Sequence, residues 1–226
     1  HADQAMYISK QKGRNCYHLF DIETEDVIKK SSEVLQDITK ALKNREFVLY
    51  YQPKVNMKTG TIIGAEALIR WQHPKRGLLS PIEFLPLIEN HSLSIDIGEW
   101  VISEALIQIA LWQEHGLNFV VSVNIDALQL QEQNFVDRLA QLLAAHPHVK
   151  PSNLELEVLE TSALSDVINA SNIMNKCADL GVSFAIDDFG TGYSSLTYLR
   201  RLPADLIKID QSFICDMLVD PEDKAI

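Results

Sequence analysis

Acidic, amide and lysine side chains recur in this chain where apolar strands end. Glu66 interrupts Ile62-Ile63-Gly64-Ala65-Glu66-Ala67-Leu68, and Asn124 follows Val120-Val121-Ser122-Val123. Glu157 lies late in Leu154-Glu155-Leu156-Glu157-Val158, Asp187 and Asp188 close Val182–Ile186, and Lys208 sits in Leu206-Ile207-Lys208-Ile209-Asp210. Together they form an oxygen-rich set drawn from five strand ends. Hard divalent cations, Mg²⁺ or Mn²⁺, take such ligands, whereas zinc or copper would ask for histidine and cysteine. The seven histidines fall into no HxH or HExxH spacing and read as structural or surface residues, His73 beside Pro74 included.

Each of these residues also has a plainer reading. Glu155 and Glu157 alternate with Leu154, Leu156 and Val158, as on the solvated face of an antiparallel strand. Asp187-Asp188 fits a turn or a helix cap, Asn124 fits a turn, and a lysine inside a strand usually marks an edge. The recurrence at five strand ends favours a site, because surface charge has no reason to repeat there. Phe189-Gly190-Thr191-Gly192-Tyr193-Ser194-Ser195 follows the acid pair as a glycine loop leading into a helix start, suited to a lid or phosphate cradle. It lacks the GK[ST] of a Walker A loop and the third glycine of a dinucleotide fingerprint.

Composition narrows the choices further. At 226 residues, 46% hydrophobic and 23% charged, the chain is of globular type and not a disordered or collagenous one. The longest apolar stretch, Trp100 to Trp112, is broken by Ser103, Glu104 and Gln108, so no segment reaches membrane-span length. A formal charge of −11 argues against DNA or RNA as a partner, since nucleic-acid binding needs a basic face. A phosphate ligand is still compatible if metal ions or local cations supply the positive charge. Cys16, Cys177 and Cys215 are an odd, scattered set that reads as reduced thiols in a cytoplasmic chain.

The elements that must carry these groups alternate. His1 to Gln11 reads as a helix in progress, and Cys16 to Phe20 as a short strand. Asp21 to Lys30 is charged without a core pattern and reads as a linker. Val34, Leu35, Ile38, Ala41 and Leu42 then mark an amphipathic helix. Phe47–Tyr51 and Thr61–Trp71 pair as a hairpin about Lys58-Thr59-Gly60. Ser80-Pro81-Ile82-Glu83 is a capping box, and Asp96 with Glu99 opens a long helix that Gly116 closes. Strands at Phe119–Val123, Leu154–Val158, Val182–Ile186 and Leu206–Ile209 then alternate with helices near Glu132–Ala145, at Asp166–Leu180 and at Ser194–Leu199. Such βα alternation means parallel strands with crossover helices. It suits a (β/α) barrel, with chemistry at the C-terminal strand ends, or an open doubly wound sheet. Asp220-Pro221-Glu222-Asp223 reads as a helix start, from which we expect a chain cut from something longer.

Five motifs, in order, resemble EAL domains, the bacterial cyclic-di-GMP phosphodiesterases. They are Tyr51-Gln52-Pro53; Glu66-Ala67-Leu68 within Gly64–Trp71; Ser80-Pro81-Ile82-Glu83-Phe84; Asp187-Asp188-Phe189-Gly190-Thr191-Gly192-Tyr193-Ser194-Ser195-Leu196; and Leu202-Pro203-Ala204-Asp205-Leu206-Ile207-Lys208-Ile209-Asp210. The resemblance covers residues 44–226 and implies an α/β fold of the (β/α)₈, TIM-like barrel type with one antiparallel strand. It implies hydrolysis of one phosphodiester of cyclic-di-GMP to linear pGpG at a two-metal site holding Mg²⁺ or Mn²⁺, in bacterial signal transduction. By motif match Glu66, Asn124, Glu157 and Asp187 would bind one metal, and Asp188, with Asp187 bridging, would serve the second. Lys208 would hold or polarise the attacking water. Gln52, Leu68 and Arg70 would contact the dinucleotide, and Glu160 would anchor the Asp187–Ser195 loop.

Residues 1–20 resemble the tail of a GGDEF domain, with 21–43 as linker and helix. That implies an upstream GGDEF domain in the same polypeptide, and a parent that is a homodimer or membrane-anchored is compatible with it. The family's usual Glu-x-Thr-Glu stands here as Glu157-Val158-Leu159-Glu160, so the threonine hydroxyl is lost. The family also extends past residue 226, with two further strands carrying a metal-binding glutamate and a late glutamine. The expectation is a barrel truncated at its C-terminal end, weakly active or inactive by itself. Two other functions compete with the phosphodiesterase: a cyclic-di-GMP receptor that does not cleave, and an enolase-type lyase or isomerase with Lys208 as base.

Overall fold

The computed structural model describes residues 22–190 and 201–215. Several sequence features lie outside those residues: the stretch at 1–20, the helix at 194–199, residues 191–195 of the glycine loop and the helix start at 220–223. The chain divides into two compact units between Asn44 and Arg45.

In the first unit, Ile22–Lys43 forms one helix, α1. The linker expected over Asp21–Lys30 is thereby corrected from Ile22 onward. Glu and Lys are good helix formers, no Gly or Pro interrupts the run, and acids gather in the first turns while Lys40 and Lys43 close the last. A missing core pattern was a poor guide, because helix formation there does not require one.

The second unit is built on a single mixed sheet. Strands β1 (Phe47–Val55), β2 (Ile62–His73), β3 (Gly77–Leu79), β4 (Val120–Ile125), β5 (Leu154–Leu159), β6 (Ser183–Phe189) and β7 (Leu206–Ile209) line up in the order β1-β2-β4-β5-β6-β7, with β3 paired on β2. β1 runs antiparallel to β2, and β2, β4, β5, β6 and β7 are successively parallel. The fold is of the (β/α)-barrel class with an antiparallel first strand. Among the described residues the sheet is open, with no ladder joining β1 to β7.

Between the parallel strands lie α2 (Ser92–Glu114), α3 (Ala127–Gln131), α4 (Phe135–Ala145), α5 (Glu160–Ser165) and α6 (Val167–Asp179), and α7 (Gln211–Cys215) follows β7. α2 begins a turn before the expected Asp96. The His91 ring caps it by accepting from the Leu93 N–H at 3.1 Å. The helix expected near Glu132–Ala145 is α4, three residues shorter at its start, and the short α3 before it was not expected; Asp126 caps α3 through the Leu128 N–H at 2.7 Å.

Alternation along the strands decides what faces where. Ala65, Ala67, Ile69 and Trp71 of β2, Val121, Val123 and Ile125 of β4, Leu154, Leu156 and Val158 of β5, and Phe184 and Ile186 of β6 are all buried. α2 packs on β1, β2 and β4, and α6 on β6. Burying each aliphatic side chain of this layer is worth about 1.5–3 kcal/mol. Phe47, Trp71, Phe84 and Trp100 close the start of β1, with ring centroids 5.5–5.9 Å from Phe47. The opposite face collects the polar residues.

Close approach of β2 and β4 requires Gly64, since a Cβ there would lie 2.5 Å from the Val120 carbonyl oxygen. Gly64→Ala must push the two parallel strands apart, and we expect it to cost about 1–3 kcal/mol. Urea unfolding monitored by tryptophan fluorescence measures this, and a stability equal to wild type would show that the pairing is slack there.

Candidate active site

Glu66, Ser122, Asn124, Glu155, Glu157, Asp187 and Lys208 occupy the face opposite the buried apolar layer. The parallel register brings Glu66 beside Ser122, Asn124 beside Glu157, and Leu159 beside Asp187. Neighbouring strands therefore present their polar residues at similar heights. The β5 carboxylates are not on a solvated face: Glu155 and Glu157 are buried on a central parallel strand.

Lys208 is the meeting point. Its Nζ donates to Glu157 Oε2 at 2.6 Å, to Asp187 Oδ2 at 2.9 Å and to Glu66 Oε2 at 3.1 Å. Asn124 Nδ2 donates to Glu66 Oε1 at 2.9 Å. One oxygen from each of Glu66, Glu157 and Asp187 lies within 4.8 Å of the others. Burial by itself would favour loss of the Lys208 proton. Hydrogen bonds to Glu157 and Asp187, with the charges of Glu157 and Glu66, outweigh it and hold the pKa above the ordinary lysine range. In this setting Lys208 is an ammonium donor, which removes support for a proton-abstracting base of the enolase kind.

Asp187 and Asp188 are consecutive, and a regular strand would send them to opposite faces. The β6–β7 ladder shifts register between Ile186 and Phe189, and Asp188 takes φ 52°. This bulge with a left-handed residue re-aims the chain; aspartate tolerates that conformation better than most residues. Asp188 lies outside the three-carboxylate group. Burial, then the neighbouring Asp187 and Asp210 carboxylates, raise its pKa.

Glu160, at the start of α5, is buried and accepts the Gly190 N–H on Oε2 at 2.9 Å, tying the end of β6 to α5. Leu159 just before it is the N-cap residue of α5 and supplies no cap hydrogen bond.

The expected dinucleotide-contacting residues lie along β1 and β2. Gln52 stands opposite Glu66 in the register, and Leu68 and Arg70 follow Glu66 at two-residue steps on the same face. The Arg70 guanidinium carbon lies 5.7 Å from the Tyr50 ring centroid. A cavity of about 350 Å³ adjoins this rim, lined by Leu68, Pro81, Ile97, Asn124, Asp126 and Leu159 among others.

One participant escaped the sequence reading. Lys54 of β1 reaches β4 and β5: its Nζ donates to Ser122 Oγ, to Glu155 Oε1 at 2.8 Å and to Glu157 Oε1 at 3.0 Å. Lys54 is two residues from Gln52 and so on its face, which was the available signal. A lysine on a hairpin strand otherwise reads as an edge residue.

Successive parallel strands from β2 onward, with carboxylates and a lysine gathered on one face, belong to the (β/α)-barrel class of fold. The sequence model of the EAL domain matches residues 35–226, and the chain belongs to that family. It is 44% identical over 226 residues to the bifunctional diguanylate cyclase/cyclic di-GMP phosphodiesterase MucR of Pseudomonas aeruginosa, covering 100% of this chain and 33% of that protein. It is 36% identical over 226 residues to the cyclic di-GMP phosphodiesterase PdeR of Escherichia coli, covering 100% and 34%. The chain thus spans about a third of the length of these curated relatives. Among solved structures, the PaMucR phosphodiesterase in complex with c-di-GMP matches with TM-score 0.80 and 45% identity, over 85% of this chain and 78% of that one. The FimX EAL domain from Pseudomonas aeruginosa bound to c-di-GMP matches with TM-score 0.77 and 26% identity, over 85% and 76%.

Two outcomes follow from the geometry. Lys208→Met, studied in EDTA, leaves three carboxylates without their shared counterion and should cost about 3 kcal/mol. A raised folded-state pKa stabilises fully below the unfolded value, so the deficit should hold from pH 7 to 9. It should shrink as pH rises past about 10.4 toward the folded value. Denaturant unfolding across that range tests both the size and the sign. Leu159→Thr adds a capping hydroxyl to α5 and should raise stability by about 1 kcal/mol. A loss of stability would instead make the leucine a packing residue.

Proposed function

We propose that this chain is the catalytic domain of a cyclic-di-GMP phosphodiesterase, cleaving one of the ligand's two phosphodiester bonds to give linear pGpG with Mg²⁺ or Mn²⁺. The observation that carries the reading is the group of Glu66, Glu157 and Asp187 oxygens within 4.8 Å of one another, at the ends of parallel strands. The names of the 44% and 36% identical relatives support it.

The donor set fits a hard cation. Glu66, Glu157 and Asp187 offer carboxylate oxygens, and Asn124, having spent its N–H on Glu66, has its amide oxygen to offer. Asp188, beside Asp187, would serve a second ion. Bound there, divalent cations would offset phosphate charge, polarise the P–O bonds and lower the pKa of a water.

The chain's own residues would divide the remaining work. With the oxygens of Glu66, Glu157 and Asp187 turned to a cation, Lys208 would have an N–H to hold or polarise the attacking water. Arg70, two steps beyond Leu68, faces the ligand's phosphate, and Gln52 and Leu68 contact the dinucleotide. Glu160 holds Gly190 and with it the start of the glycine loop.

The deciding experiment incubates the chain, and any longer polypeptide that carries it, with cyclic-di-GMP and Mn²⁺ and separates the nucleotides by anion exchange. Linear pGpG is the expected product. Binding without cleavage would make the domain a receptor, and neither would overturn the assignment. In the form that cleaves, Glu66→Gln and Asp187→Asn should each lower turnover by roughly a thousandfold, matching the loss of several kcal/mol of charge stabilisation. Ca²⁺ should fail to replace Mn²⁺, because its longer bonds and looser geometry misplace the water. Near-normal turnover in Asp187→Asn would show that the chemistry lies elsewhere.

A further inference from the structure

Glu157 has no exposed side-chain surface, and its two oxygens are held from opposite sides. Lys208 on β7 holds Oε2 at 2.6 Å and Lys54 on β1 holds Oε1 at 3.0 Å. The two lysines are unequal partners. Lys208 divides its three N–H groups among Glu157, Asp187 and Glu66, the oxygens a cation would take. Lys54 spends its own on Glu157 and, one step deeper, on Glu155 and Ser122. Glu155 is itself fixed, accepting the Ser122 Oγ–H on Oε1 at 2.6 Å. Lys54 is therefore braced by groups that take no part in the three-carboxylate group. Its reach is open because Gly64, its partner in the β1–β2 register, carries no side chain between β1 and β4.

From this we infer that Lys54 is a positioning residue. It pins one oxygen of Glu157 so that the other keeps a fixed direction toward the site when Lys208 is drawn to another partner. This inference rests on the metal reading above. The competing role is a purely structural one, in which Lys54 only neutralises buried Glu155.

The two roles separate in a small set of variants studied by Mn²⁺ titration calorimetry, with thermal unfolding as the check on folding. Wild type and Glu155→Gln, which keeps an acceptor for Ser122 and Lys54, should bind Mn²⁺ alike. Lys54→Met should bind at least tenfold more weakly, and at limiting Mn²⁺ its turnover should fall while KM for cyclic-di-GMP changes less than twofold. The double variant Lys54→Met/Glu155→Gln removes both charges of the deeper pair, so it leaves no buried Glu155 carboxylate without its ammonium. Mn²⁺ binding by the double variant should stay at least fivefold weaker than by wild type. Wild-type affinity in Lys54→Met or in the double variant would overturn the positioning role. Absence of Mn²⁺ binding by the wild type would instead overturn the metal reading on which that role rests.

Discussion

A buried carboxylate is costly unless it is paired and hydrogen-bonded, and the interior of this sheet is organised around that requirement at Glu157. Its carboxylate sits on the central strand with an ammonium on either side. The strands that supply those ammoniums are the first and last of the described sheet. Lys54 and Lys208 therefore sit at the two edges of the ladder and lean inward across their neighbours. The flanking strands meet this arrangement with small or polar residues, Gly64, Ser122 and Ala185, on the face that larger apolar side chains would have filled. One charge at the centre thus explains both the polar inner face and the lysines on outer strands.

The same arrangement explains the resting state of the acidic group. Like charges held within a few ångströms repel strongly in a region of low dielectric, yet Glu66, Glu157 and Asp187 converge because a single ammonium satisfies all three. A site built this way keeps its carboxylates aimed. The −11 formal charge of the chain acquires a local meaning as well: positive charge that could meet an anionic ligand is confined to a few side chains near the site, Arg70, Lys54 and Lys208 among them.

The alternation of strand and helix was legible, and with it the barrel class, because β4, β5 and β6 are short apolar runs bounded by caps and glycines. The hairpin about Lys58-Thr59-Gly60 and the Ser80–Glu83 capping box carry local signals that the structure reproduces. The gathering of Glu66, Asn124, Glu157, Asp187 and Lys208 was readable because each interrupts an apolar strand near its end. Features that depend on tertiary context were not readable. Helix α1 starts in a stretch with no apolar pattern, and α2 is capped by a histidine ring, a weak signal in sequence. The bulge at Asp188 depends on β7, and the reach of Lys54 depends on strand order. Glu155 looked like a surface residue because alternation cannot tell solvent from a polar barrel interior.

The reversed direction of β1 has a consequence for how this domain tolerates change. Because β1 and β2 are antiparallel, their connecting turn, Asn56–Thr61, lies at the end of the sheet where β2 begins, while the parallel strands β4, β5 and β6 finish at the other end. The turn is mostly exposed, and its hydrogen bonds are its own: the Thr59 and Gly60 N–H groups donate to Asn56, whose N–H donates to the Thr61 carbonyl. Lengthening such a loop costs only about 0.6 kcal/mol per doubling. Domain insertions, affinity handles or linkers to other modules can therefore be accepted there as attachments to the back of the sheet. The C-terminal ends of β4 and β6 have less freedom: Asn124, one residue before β4 ends, donates to Glu66, and Gly190, just past β6, donates to Glu160.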